Sequence, residues 1–538
     1  MTTGADIIAG KLHAAGCRHA FGIPGGEVLA LMQSLDQAGL TFVLVKHENA
    51  GGFMAEGGWH ADGAPGVLLA TLGPGAANAV NVVANAWQDR VPLIFLTGCV
   101  DQGEAESYTH QVFDHQQLLR PIVKASFSAR LGALDVMMEK ALAIALDGQP
   151  GPVHIDVPIK VAESETAEAW SDAFRCAPVT TAPAAGADLD TALKLFARAE
   201  RPIALAGVDA VNEEASAAIT EFCRKFNVPL VTSYKGKGLL DENLPLALGG
   251  AGLSPKADNH LLPLINSSDC ILLLGYDPIE MRVNWRDPWG QDAPVIDVTP
   301  VHRTHGMHAV SATLRSAVKP VLERLGEVRD PQKPSWASGE PGSTRADLDA
   351  AFAPEPSGWG PGTVFHTLRA ILPADTVATA DSGAHRILVS QIWRCPMPRR
   401  MLQSSALCTM GCAVPLAMGH RLVDHQSPVI AFVGDAGLEM CLGELSTLRD
   451  LNLPVIICVL VDTSLSLIEL KQRSSQRPNV GVDFGETDFP AVAQAYGGHG
   501  VWVEDAATLR AETQAALARD GFTLLACRIE RRAYDGAF

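Results

Sequence analysis

The chain has 538 residues, with 42 Lys and Arg against 60 Asp and Glu and a formal net charge of −18. At about 150 residues per domain, this length accommodates three to four domains and several buried cores. So acidic a chain lacks the basic surface that phosphate-backbone binding requires, which excludes a general nucleic-acid binder.

The 11 cysteines form no CxxC pair, and most lie in apolar stretches such as those around Cys270 and Cys458. They read as buried thiols of a reducing compartment. The N-terminus has neither a basic n-region nor an apolar h-region, so no signal peptide is expected. No charge occurs between Asp62 and Asp89. That run contains Gly73-Pro74-Gly75 and the asparagines Asn78, Asn81 and Asn85, which would be costly in lipid. It reads as strand, turn and helix of a soluble core. A cytoplasmic protein with no membrane partner is expected.

In chain order, residues 1–165 carry four short apolar runs, 42–48, 66–73, 91–98 and 153–158, separated by helical patterns. Such alternation predicts parallel βαβ units. A polar, Ala-rich passage over 164–187 reads as a linker. A second α/β segment covers 188–328, with strands at 202–208, 229–234, 270–276 and 294–300. A Pro-, Ser- and Gly-rich stretch, 329–343, reads as an exposed connector. The third segment, 356–538, places strands at 375–381, 427–435, 454–462 and 522–529. The predicted fold class is α/β, three parallel-sheet domains in series. Such sheets bind ligands at the carboxyl ends of their strands.

Two of those ends hold acids. SPVIAFVGDAGLEM puts Asp435 at a strand end in a Gly-Asp-Ala-Gly turn that opens a helix. Small residues there let main-chain N–H groups approach an anion. PVIICVLVD puts Asp462 at the end of the next apolar strand. Adjacent parallel strands would bring the two carboxylates to one hard divalent cation such as Mg²⁺.

This pattern resembles the diphosphate-binding motif of the thiamine diphosphate (ThDP) enzymes, GDG followed one βα unit later by NN. Here Ala436 stands at the third motif position and Val461-Asp462 at the asparagine pair. The resemblance implies Mg²⁺ held by Asp435, Asp462 and the main-chain carbonyl of Ser464, with Ala436, Gly437 and Leu465 beside the cofactor. Residues 46–98 are similar to the pyrimidine-binding domain of acetolactate synthase-like enzymes. There the resemblance implies that Glu48 shares a proton with the aminopyrimidine ring, with Gly73 and Asn78 lining the same site. His110-Gln111 is similar to the His-Gln of the FAD-independent, catabolic acetolactate synthases, which puts Gln111 near the reacting carbon. In 381–393 and 404–419, Gly383, Ala384 and His385 correspond to a first diphosphate loop. Met410 corresponds to the apolar wedge beneath the two rings, and Cys408 to a main-chain acceptor for the amino group. The stretches 275–285 and 481–500 are also similar to the catabolic subgroup. Thr463, Ser464 and Leu465 depart from the family's Asn-Gly-Tyr, and the helix start through Leu467, Ile468 and Lys471 lies near the substrate in relatives.

The implied activity is ThDP- and Mg²⁺-dependent decarboxylation of a 2-oxo acid, pyruvate first, with carboligation to a second carbonyl compound. The middle segment has no GxGxxG after a strand, and FAD is not expected. Two alternatives stand beside this reading: a pyruvate oxidase-like flavin oxidoreductase or another ThDP-dependent lyase, and a non-catalytic ThDP-binding relative suggested by the altered motifs. By the same resemblance the chain pairs with itself, as a homodimer at least and a homotetramer in full, with Glu48 serving the cofactor of the other chain.

Overall fold

The structure, a computed structural model, describes residues 2–101, 103–174, 179–281, 283–303, 305–354 and 358–538. Cys176 and position 356, the expected start of the third segment, lie outside the described residues.

Three six-stranded sheets follow one another along the chain. From edge to edge, the N-terminal sheet runs Thr41–Leu44, His19–Ile23, Gly66–Ala70, Leu93–Cys99, Val153–Pro158 and Ala125–Ser128. The C-terminal sheet runs Met401–Gln403, Val377–Ala380, Val429–Gly434, Ile456–Val461, Thr523–Arg528 and His499–Val503. Numbered in chain order within each sheet, both read 2-1-3-4-6-5. The central sheet reads 3-2-1-4-5-6, from Ala247–Gly250 through Leu230–Thr232, Pro202–Ala206, Cys270–Leu274 and Val295–Thr299 to Ala312–Arg315. All pairings within these sheets are parallel. Helices therefore cover both faces, and the inner strands read as continuous apolar runs.

Each apolar run singled out in the sequence carries one of these strands. The strands without such a signal are His19–Ile23, Ala125–Ser128, Ala247–Gly250, Ala312–Arg315, Met401–Gln403 and His499–Val503, and all but the first are sheet edges. An edge strand pairs on one side only, and Ala125–Ser128, Ala312–Arg315 and His499–Val503 are partly wet, so their composition is mixed. In Ala312–Arg315 buried and exposed positions alternate.

Two expectations change. The stretch 329–343 is exposed over much of its length, but it is anchored rather than free. Arg329 is buried and donates to the carbonyls of Phe196 and Ala199, and Trp336 Nε1 donates to Pro202 O at 2.7 Å. The described part of 164–187 is also tied down. Glu165–Thr166 pairs with Thr2–Thr3, and the Glu168 carboxylate accepts from the main-chain nitrogens of Gly132 and Asp135.

The outer sheets share one apolar core, which mixes Phe53, Val82 and Phe95 with Val433, Leu445 and Ile457. At its centre the helix Glu48–Asp62 crosses the helix Ala413–Val423. A Cβ on Gly57 would come within 2.2 Å of Leu416 O, and one on Gly419 within 1.9 Å of Met54 O. Only glycine permits main chains to approach so closely. Among the described residues no helix is long and apolar enough to cross a membrane.

Candidate active site

In a 2-1-3-4-6-5 sheet the strand order reverses between strands one and three, and their carboxyl ends open a crevice. In the C-terminal sheet these ends are Asp381-Ser382-Gly383 and Asp435-Ala436-Gly437. A cleft lies there, lined by Gly383, Ala384, His385, Met410, Asp435, Ala436, Gly437, Asp462, Ser464 and Leu465.

Asp435 opens the short helix Asp435–Glu439. Its Oδ2 accepts from the main-chain nitrogens of Asp462 (3.1 Å) and Thr463 (2.7 Å), and its Oδ1 from that of Ala436 (2.9 Å). The strand register thus locks the two acids side by side. Asp462 accepts from the Ser466 hydroxyl and from the Ser464 main-chain nitrogen. Burial, and next the charge of Asp435, push Asp462 up to about 7; burial also raises Asp435. Two adjacent buried acids held above the ordinary carboxylate range form a donor set in want of a hard cation. Ser464 also donates to Asp483 at 2.9 Å, and Leu465 N donates to Val482 O, which docks 481–484 on this turn. In the same cleft the buried Nε2 of His385 has no protein partner. Burial lowers this imidazole to about 3, so it is neutral. An unsatisfied polar atom in such a place suits a polar ligand.

Glu48 lies elsewhere. The strand before it stops at Leu44, and Glu48 is the first residue of the helix Glu48–Asp62, not the last of a strand. It is 4% exposed, and its Oε2 accepts from Asn78 Nδ2 at 3.0 Å. Lys46 and His47 donate their main-chain N–H groups to Glu444 of the C-terminal segment, which anchors the approach to the helix. Gly73 adopts φ +71°, and a Cβ there would stand 2.5 Å from Gln111 O. The Gln111 loop therefore packs directly on this turn, with the Gln111 side chain exposed. Glu48, Gly73, Asn78 and Gln111 are not among the residues lining the Asp435 cleft of the same chain, nor is Cys408. Cys408 is exposed, with φ +55°, two residues before Met410.

Family models for thiamine pyrophosphate enzymes match all three segments. The N-terminal TPP binding domain spans 2–118, the central domain 189–325 and the C-terminal TPP binding domain 381–527. The chain belongs to this family. It is 28% identical over 519 residues to acetolactate synthase of Bacillus subtilis (strain 168), covering 93% of this chain and 88% of the relative. It is also 28% identical to the acetolactate synthase isozyme 3 large subunit of Escherichia coli (strain K12), covering 96% and 92%. It is 27% identical to the catabolic acetolactate synthase of Raoultella terrigena, covering 98% and 95%. The chain is a thiamine diphosphate-dependent enzyme of acetolactate synthase-like type.

Against that identity, the residues read from the sequence divide into two groups. The residues expected at the diphosphate loops, the wedge and the metal converge in the cleft, Cys408 apart. Glu48, Asn78 and Gln111, expected to act on the pyrimidine and the substrate, gather around the Gly73 turn. Sequence reasoning missed Ser466, whose hydroxyl reaches Asp462, and Tyr534, which lines the cleft from the C-terminal tail. Ser466 opens the helix that follows Asp462 and could have been found from that spacing. Tyr534 has no local signal. Among the described residues, three ligating side chains also come together at His115, His154 and Asp156. Their ring nitrogens already engage Asp156, Thr97, Ser126 and the main-chain nitrogen of Gly73, so the group is a hydrogen-bond network under the turn.

Proposed function

We propose that this enzyme decarboxylates a 2-oxo acid, pyruvate first, and joins the remaining fragment to a second carbonyl compound, a reading supported by its likeness to proteins named acetolactate synthase. The observation that carries the proposal is the pair Asp435 and Asp462, locked together by the bonds to Asp435 Oδ2 at the switch point of the C-terminal sheet. Asp435, Asp462 and the Ser464 carbonyl would hold Mg²⁺. Gly383, Ala384, His385, Ala436, Gly437 and Leu465 would surround the diphosphate, with Met410 as wedge and the Cys408 carbonyl as an acceptor. Thiamine diphosphate, when bound, supplies an electron sink that lets a carbon–carbon bond beside a ketone break or form.

The chain's own residues would do the rest. Glu48, near Gly73 and Asn78, would hold and return a proton at the aminopyrimidine ring, and Gln111 would orient substrate. Leu467 and Ile468 would line the acceptor side and exclude water. The division of labour is 1–165 for activation, 188–328 as the central domain and 356–538 for diphosphate and metal. The position of Glu48 away from the Asp435 cleft of its own chain supports a site completed between two chains, hence a homodimer at least and a tetramer by the resemblance. Ten described cysteines are free thiols, which supports a reducing, cytoplasmic location. The reaction is redox-neutral and consumes no electron acceptor, so no flavin step is part of the proposal. A yellow purified protein would reopen the flavin-linked alternative.

The test is direct. Purified protein with thiamine diphosphate, Mg²⁺ and pyruvate should release carbon dioxide and form a 2-hydroxy-2-acyl product. No release across a panel of 2-oxo acids would defeat the proposal.

A further inference from the structure

The helix Val80–Gln88 and its cap carry Asn81, Asn85 and Asp89 at intervals of four residues, so the three lie on one face. That face grips the loop leading to Met410. Asp89 accepts from two consecutive main-chain nitrogens, Ser405 to Oδ2 and Ala406 to Oδ1, each at 2.9 Å. Asn85 Oδ1 accepts from the Ser404 hydroxyl at 2.6 Å. The same Ser404 oxygen accepts from Thr409 N at 2.9 Å, which closes the loop on itself. Asn81 Oδ1 accepts from the Thr409 hydroxyl at 3.1 Å. The next residue is Met410.

The anchor is charged and dry. Asp89, Asn85, Ser404 and Ser405 are at most 1% exposed. A carboxylate so far from water needs a countercharge. Lys235 of the central segment supplies it, with Nζ 3.0 Å from Asp89 and 3.4 Å from Glu56. Glu56 in turn accepts from Asn85 Nδ2 at 2.8 Å and lies on the helix that begins with Glu48. A second charged residue of the central segment, Glu280, acts on the far side of the loop through Arg386 of the C-terminal segment. Glu280 holds Arg386, which donates to Ser404 O and to Cys408 Sγ.

We propose that Lys235 and Asp89 are positioning residues for the cofactor. By neutralising the acid that pins 404–406, the central domain sets the height and angle of Met410 beneath the thiamine rings. This rests on the reading of Met410 as the wedge. Loss of the Lys235 charge would leave two buried acids unpaired, and the loop would yield before the rigid helix does. A displacement of about 1 Å at a reacting centre costs on the order of a hundredfold in rate.

The test uses full-length Lys235→Met, Lys235→Arg, Asp89→Asn and the double variant Lys235→Met/Asp89→Asn. Affinity for thiamine diphosphate with Mg²⁺ is read from quenching of tryptophan fluorescence, and kcat and KM from carbon dioxide release. Lys235→Met should weaken cofactor binding about tenfold or more and lower kcat with KM for the 2-oxo acid little changed. Lys235→Arg should retain both, and the double variant should lose less than the two single variants combined. A salt bridge of merely structural value would lower the thermal midpoint alone. Lys235→Met that folds with wild-type cofactor affinity and kcat overturns the proposal. If it does not fold, Asn81→Ala, which removes only the Thr409 bond, decides: a smaller loss in the same direction supports positioning, and no change refutes it. Wild-type protein that binds no thiamine diphosphate would instead strike at the functional reading itself.

Discussion

Asp462 is where this chain departs most from the family motif, and its setting makes the departure measurable. Burial and the Asp435 charge raise it to about 7, against about 3.9 for a free aspartate. A raised pKa in the folded state means that folding takes up a proton. The metal-free protein is therefore expected to lose stability as pH rises from about 4 through 7, and Mg²⁺ affinity to climb from about pH 6 to pH 8 before levelling. Thermal unfolding with and without Mg²⁺ across this range checks both slopes, and Asp462→Asn should remove most of each. Glu48 carries a different prediction. Glu48→Gln keeps the size and the contact with Asn78 but cannot hold the proton. Turnover should fall by about 10²–10⁴, with cofactor affinity nearly unchanged. Equal turnover in a kinetic assay would remove Glu48 from its role.

At the scale of elements, the helix crossing between Glu48–Asp62 and Ala413–Val423 decides how the two outer sheets meet. Gly419 sits with its α-carbon against Met54 O. Gly419→Val has no flexible neighbour to displace and should cost about 3 kcal/mol, read as a lower midpoint in denaturant and a loss of soluble protein. The elements also show what the chain announces and what it conceals. Inner strands buried on both faces must be apolar throughout, and runs such as 454–462 are plain to read. Edge strands such as Ala312–Arg315 are short and half covered, and they emerge only once a neighbour pairs with them. The asparagines of Val80–Gln88 were legible as an argument against a lipid environment, but the loop they hold lies more than 300 residues away.

For the whole molecule, the two outer sheets share the order 2-1-3-4-6-5, yet only the C-terminal crevice carries the acid pair. The N-terminal one carries the Gly73 turn, with Glu48 nearby. If a site is completed by Glu48 of one chain and Asp435 of another, two dead variants should rescue each other. Glu48→Gln and Asp435→Asn, unfolded and refolded together, should regain on the order of a quarter of wild-type activity, because half of random dimers carry one intact site. Activity that stays at the level of either variant alone would place each site within a single chain.

Local chemistry sufficed for the three-sheet architecture, for the acid-bearing turns at Asp435 and Asp462 and for the likeness to thiamine diphosphate enzymes. Strand hydrophobicity, small residues at turns and the spacing of one βα unit are properties of neighbouring residues. Tertiary structure alone decided that Glu48 opens a helix, that Arg329 and Trp336 anchor 329–343, that Tyr534 reaches the cleft and that Lys235 faces Asp89. Each of these depends on burial against residues distant in the chain, and burial is a property of the assembled fold.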